Sequence, residues 1–375
     1  MASFSPKYSY VDTDQALSQC ISTIKEVNEV ALDIEGSSLH SYKDKVCLIQ
    51  IATNREVFII DSLAQIALDD LLEILKSKLL VLHGGDYDLR MLYMHYQFIP
   101  KGEVFDTMLA AELVGSEALS LAALIEQNFN VSISKSSQKS DWSKRPLSDK
   151  QLEYAAIDVL YLLELRLIFA KRLSDLERNE WHEEWCEKIV KNTRVQKEKE
   201  EAWRIKGAGL LSSKELNYLK HLWLWRDAKA EELDRPSFKV ISNQFLLKFA
   251  QITAQCKDKI LKNQFSFPKN VNEKFHTSIQ EALVKASNID RGAWPKKKMG
   301  VRVKEIYDKK RFANIKNHIS TKAKELGLRP SLILSNNELT EFLKVQKTSG
   351  NNEAYKHVNL MKWQKALVKD ILEQE

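Results

Sequence analysis

Asn28-Glu29-Val30-Ala31-Leu32-Asp33-Ile34-Glu35 opens a stretch whose reading decides the fold. Val30, Leu32 and Ile34 alternate with Ala31, Asp33 and Glu35, the period of two that marks a strand. Val46-Cys47-Leu48-Ile49-Gln50-Ile51-Ala52 is a second apolar run, Thr53-Asn54-Arg55 a turn signal, and Glu56 to Asp61 a third run rich in Val, Phe and Ile. Three strands with short connections predict an antiparallel meander. Further along, Leu68 to Leu75 has amphipathic helical spacing, and Leu79 to His83 is a short buried strand ended by Gly84-Gly85. Helical patterns follow over 88–97, 106–115, 118–128 and 148–170. The order βββαβα, then helices, predicts a mixed α/β domain over residues 1–172.

Beyond residue 171 no strand is expected. Residues 173–208 read as a charged helical linker, with Trp181, Trp185 and Trp203 as packing points. Two signals then repeat. Arg235-Pro236-Ser237 is followed by Ser242-Asn243, and Arg329-Pro330-Ser331 by Ser335-Asn336. In each, Pro would end one helix and Ser-Asn would cap the next. Two all-α modules are therefore predicted, over 209–290 and 291–375.

Composition bounds the function. With 375 residues, 44% hydrophobic and 29% charged, the chain has the make-up of a soluble globular protein of two or three domains. Its longest apolar runs fall far short of a bilayer span, and the N-terminus has no apolar signal core, so a membrane role is not expected. The four cysteines, at 20, 47, 186 and 256, form no C-x-x-C pair. That argues against a disulfide framework or structural zinc and for a reducing, cytoplasmic setting. Charge is uneven: residues 1–200 carry net −9 and residues 201–375 net +15. An acidic half can gather cations, and a basic half can hold a polyanion such as nucleic acid. Nothing suggests a large apolar seam, so a monomer is expected.

Candidate chemistry lies in the acids. Asp33 and Glu35 share one strand face, about 7 Å apart along the chain. Past the tip of the next strand stand Asp86, expected to cap a helix, and Asp88, expected to turn toward the acidic face. Tyr154 and Asp158, at i and i+4, share a helix face. An Asp among Ala155, Ala156, Ile157 and Val159 would be costly if buried alone. Four crowded carboxylates call for cations, and oxygen ligands suit Mg²⁺ or Mn²⁺ better than zinc. Two such ions can activate water and stabilise a leaving oxygen in phosphodiester cleavage.

Asp33-Ile34-Glu35, Asp88 and Tyr154-x-x-x-Asp158 resemble the motifs of the DEDDy 3′→5′ exonucleases, which have a ribonuclease H-like fold. Val46 to Ile51, Phe105-Asp106-Thr107, Ser140 to Leu147 and Tyr154 to Leu162 are similar to the ribonuclease D branch. Glu231 to Pro236 with Ile241-Ser242 resembles the HRDC module, and the echo at 329 a second one. Trp363-Gln364-Lys365 fits the family too, although Lys362 stands where Gly is more usual.

The resemblance implies two divalent metal ions, Mg²⁺ or Mn²⁺, held by Asp33, Glu35, Asp88 and Asp158, with Tyr154 orienting the attacking water. It implies release of 5′-mononucleotides from RNA, with precursor tRNA 3′ ends as the usual substrate. Gln50 and His83 are candidate substrate contacts; each has an ordinary alternative, a hydrogen bond within the sheet for Gln50 and a satisfied core position for His83. Lys296-Lys297-Lys298 is either a solvated linker or a phosphate contact or import signal. A DNA exonuclease, a nuclear exosome-associated relative and a catalytically silent nucleic-acid-binding scaffold stay open as alternatives.

Overall fold

The computed structural model describes residues 6–133, 136–194, 201–269, 271–297 and 309–373. They fall into two compact units. Met1–Gly36, Lys45–Gln196 and Lys304–Glu375 form one; Ser37–Asp44 and Lys197–Val303 form the other.

The first unit is built on a mixed six-stranded sheet. Its strands are β1 (Ser9–Val11), β2 (Glu29–Gly36), β3 (Val46–Ala52), β4 (Val57–Asp61), β5 (Leu79–Leu82) and β6 (Val104–Asp106), in the order β1-β4-β3-β2-β5-β6. β2, β3 and β4 form the expected antiparallel meander. β1 joins β4, β5 joins β2 and β6 joins β5, all in parallel. β1 and β6 were not anticipated, because three residues are too few to show a period. Helix α1 (Asp14–Lys25) is a further element beyond those expected; Thr13 caps it, and Leu17, Cys20 and Ile24 form its buried stripe.

Alternation along β2 sends its side chains to two cores. Val30, Leu32 and Ile34 join Ile49, Ile51 and Ile60 beneath α1, α2 (Asp69–Leu75) and α3 (Asp86–Tyr96). Ala31, Leu48, Ala52 and Ile59 join the other core. That second face packs against α4 (Thr107–Leu113), α5 (Leu121–Phe129), α6 (Asp149–Leu160) and α7 (Leu162–Asp175). The single helix expected over 148–170 is thus two, broken at Tyr161, with a Ser148/Gln151 capping box starting the first. Helix α8 (Asn179–Asn192) lies in the stretch read as linker, yet it belongs to this unit. Its buried His182 places Nε2 3.0 Å from the Asp106 carbonyl.

The second unit packs α9 (Ser213–Glu232), α10 (Ser237–Val240), α11 (Asn243–Ala254), α12 (Lys257–Leu261) and α13 (His276–Ser287) around its own core of Leu219, Leu222, Leu246, Phe249, Ile279 and Leu283. Trp225 is part of that core and donates to Ser278 (3.0 Å). Arg226 is buried too, donating to the Ile241 carbonyl (2.9 Å) and to Asn243 (2.7 Å).

The last helices, α14 (Lys309–Glu325), α15 (Pro330–Ile333), α16 (Asn336–His357) and α17 (Lys362–Glu373), share the core of the first unit. Trp363 stacks on Trp181 with centroids 4.7 Å apart. Arg178 donates to the carbonyls of Leu113 (2.5 Å) and Leu326 (2.6 Å). Arg329 pairs with Glu112, and the Glu184 carboxylate accepts from the Lys362 N–H at 2.8 Å. Gly115, at φ +80°, meets the Gly327 carbonyl so closely that a Cβ there would lie 2.3 Å from its oxygen.

The repeated Ser residues act as expected, Ser242 capping α11 and Ser335 capping α16. The prolines do more than end a helix, since each opens a one-turn helix, α10 or α15. Lys298, Met299 and Gly300 lie outside the described residues, so the basic run is only partly placed. Among the described residues no helix is long and apolar enough to cross a membrane.

Candidate active site

Asp33 and Glu35 project from β2 on the face that α6 packs against. The strand ladder breaks register between Glu35 and Gly36, so β2 ends beside its second acid. From α6, Asp158 reaches the same place. Oxygen atoms of Asp33, Glu35 and Asp158 lie within 4.8 Å of one another. Asp88, in the first turn of α3, is buried and stands outside that trio, but near enough to feel the charges of Asp33 and Asp158.

The electrostatics follow from burial. Desolvation pushes the Asp33 carboxyl up to about 7 against a partly offsetting backbone N–H from Ile34. Glu35 is raised well above its ordinary value by burial first, then by Asp33, Asp158 and Asp88. Asp158 is raised by burial and Asp33, although the Tyr154 hydroxyl donates to it. Burial and the same acids push the Tyr154 phenol upward as well, so at neutral pH it keeps its proton and acts as a donor. Carboxyl groups held this way are short of positive charge. An all-oxygen donor set, half-buried and mutually repelling, fits a hard divalent cation.

Several residues hold these acids in place, and sequence reasoning found only some. Asp106 is buried and accepts from the N–H groups of Gly84 (3.0 Å), Gly85 (2.9 Å), Met108 (2.9 Å) and Leu109 (3.2 Å). It therefore caps α4 and fixes the Gly-Gly turn that launches α3 and Asp88. Asp86, expected to cap α3, does not: Gly85 is the N-cap, without a side-chain bond, and Asp86 pairs with Arg90 at 3.0 Å. Arg145, in the loop before α6, donates to Asp61 through Nε (2.5 Å) and Nη2 (2.6 Å) and to the Cys47 carbonyl (3.1 Å). Tyr10 also donates to Asp61, at 2.6 Å. The loop that delivers α6 is thus tied to β1, β3 and β4. Trp142, fully buried, lies 6.0 Å from the Tyr154 ring centroid.

The two candidate substrate contacts part company. His83 is half-buried, with Nδ1 2.9 Å from the Thr107 hydroxyl, and burial lowers its pKa, which favours the neutral ring. Gln50 lies directly opposite Asp33 in the ladder and is fully buried, out of reach of solvent.

Residues 8–174 match the family described as 3′-5′ exonuclease, and residues 215–273 match the HRDC domain. A ribonuclease D of Desulfotalea psychrophila is 27% identical over 369 residues, covering 96% of each chain. A ribonuclease D of Haemophilus influenzae is 28% identical over 348 residues, covering 90% of this chain and 85% of the relative. The fold matches the crystal structure of Escherichia coli RNase D with a TM-score of 0.72 at 23% identity, over 98% of this chain and 99% of that one. With an acid-lined α/β sheet in the segment that matches the exonuclease model and an HRDC match after it, the chain carries a 3′-5′ exonuclease domain followed by an HRDC domain and is similar to ribonuclease D over nearly its whole length.

Proposed function

We propose that this protein is a metal-dependent 3′→5′ exoribonuclease that removes 5′-mononucleotides from RNA, with precursor tRNA 3′ ends as its substrate. The observation that carries this reading is the convergence of Asp33, Glu35 and Asp158 within 4.8 Å, with Asp88 close behind. Asp33, Glu35 and Asp158 would hold one Mg²⁺ or Mn²⁺, and Asp33 with Asp88 a second. Such cations, when bound, lower the pKa of water and stabilise charge on phosphate oxygens. Tyr154, protonated and hydrogen-bonded to Asp158, positions the attacking water and does not take its proton. Asp158 is aligned by that same hydroxyl. Trp142 and Arg145 keep α6 from drifting off the sheet.

In this reading residues 1–172 carry the chemistry. The basic residues of 209–290 and 291–375 carry the positive charge that meets phosphates. Phosphate contacts give affinity without sequence preference, which suits a trimming enzyme acting as a cytoplasmic monomer. Choice of RNA over DNA rests on the 2′-hydroxyl. The experiment is a matched pair of RNA and DNA tails incubated with Mg²⁺, with Mn²⁺ or with EDTA. Metal-dependent shortening of the RNA strand, with 5′-monophosphates as product, is the expected result. Preferential shortening of DNA would replace the substrate assignment, and binding without product release would remove the enzymatic one.

A further inference from the structure

Gln50 sits where an amide has no evident reason to be. It is fully buried in the middle of β3, and neither its Oε1 nor its Nε2 has a hydrogen-bond partner. Its neighbours on that face, Leu48 and Ala52, are core residues of the ordinary kind. An unpartnered buried amide is destabilising, and an apolar side chain of the same shape would avoid that cost. The register shows what the amide stands beside. Gln50 pairs with Asp33, and residues directly opposite on antiparallel strands point to the same face, with Cβ atoms roughly 4.5–5.5 Å apart.

We propose that Gln50 is a positioning residue for the cation site, its Nε2 donating to Asp33 when that carboxylate is engaged by a metal ion. The inference rests on the reading of Asp33 as a ligand. A carboxylate that gives one oxygen to a cation has the other to offer, and a donor there fixes its rotamer. Outer partners of this kind set metal affinity by 10- to 100-fold in order of magnitude. The assignment also moves Gln50 away from the substrate, which its burial keeps from touching it.

The test is Mn²⁺ binding to the full chain, followed by electron paramagnetic resonance of free Mn²⁺, on wild type, Gln50→Met, Gln50→Leu and Asp33→Asn, with thermal melts of each in EDTA. Gln50→Met keeps the length of the side chain and removes only the amide; Gln50→Leu serves should Met misfold. The expected result is a melt in EDTA equal to or above wild type, together with Mn²⁺ affinity weakened by about 10-fold or more. A merely structural amide would leave the affinity within about 2-fold of wild type while still raising the melt, and that result overturns the proposal. Should wild type bind Mn²⁺ no better than Asp33→Asn, the ligand reading fails and this inference falls with it. Should wild type bind well and both Gln50 variants bind equally well, only this inference falls.

Discussion

The two helical stretches after the nuclease segment carry the same sequence signals and meet different fates. Both show Arg-Pro-Ser, then a Ser that caps a long helix. The first closes a core of its own around Leu222, Leu246 and Phe249. The second surrenders its apolar face to the nuclease unit, where Ile319, Phe342 and Trp363 share a core with Trp142, Phe169 and Ala156. A repeat read from capping and turn residues reports how a module begins its helices. It does not report what the module buries its face against, because that is decided by residues far away in the chain, here Arg178, Trp181 and Glu184.

The comparison can be broken most forcefully at Trp363. Trp363→Ala removes a buried ring stacked on Trp181 and should cost the first unit about 3–5 kcal/mol, seen as earlier hydrogen exchange in β2 and β3. Phe249→Ala, a change of similar size in the other core, should leave exchange in those strands unaltered. Exchange in β2 that responds equally to both would mean the cores are not separate. A smaller effect is expected at Arg178, whose loss leaves the buried Leu113 carbonyl and the half-buried Leu326 carbonyl short of a donor. Arg178→Ala should cost roughly 2–4 kcal/mol by denaturant unfolding of the first unit.

The pH dependence sharpens the same contrast, since the Asp61–Arg145 pair lies in the first unit alone. Burial would raise the Asp61 carboxyl, but the bonds from Arg145 and Tyr10 outweigh it and hold the pKa below its ordinary value. A depressed folded pKa contributes stability above the unfolded pKa, and that stability is lost as pH falls through the folded one. Wild type should therefore lose stability in the first unit on acidification below about pH 4, and Asp61→Asn should lose less over the same range while being weaker at pH 7. Acid titration curves of equal slope for both would contradict the pairing. The smallest effect is at the caps: Ser335→Ala and Ser242→Ala should each cost about 1 kcal/mol, the first in the nuclease unit's transition and the second in the other.

What was legible in the sequence was periodic or local. Alternation around Asp33 and Glu35 gave the strand and its acidic face; the four-residue step from Tyr154 to Asp158 gave the helix face that meets it. Asp106 shows the limit. Its string was noticed, but its task is to accept the N–H groups of Gly84 and Gly85, more than twenty residues earlier, and no spacing rule reveals that. The misplacement of the α3 cap on Asp86 has the same origin, since the turn is held by Asp106 and leaves Asp86 free to pair with Arg90. The break at Tyr161 has no Pro or Gly to announce it, and the structure supplies no physical cause that the sequence could have shown.

The most direct test of the account is hydrolysis of a 3′ single-stranded RNA tail by wild type and by Asp33→Asn, each with Mg²⁺ and with EDTA, after circular dichroism has shown the two proteins equally folded. Shortening by wild type with Mg²⁺ alone, and by the variant in neither condition, is the predicted outcome. Tail shortening by folded Asp33→Asn, or by wild type in EDTA, would contradict the claim that these converging acids do their chemistry through bound cations.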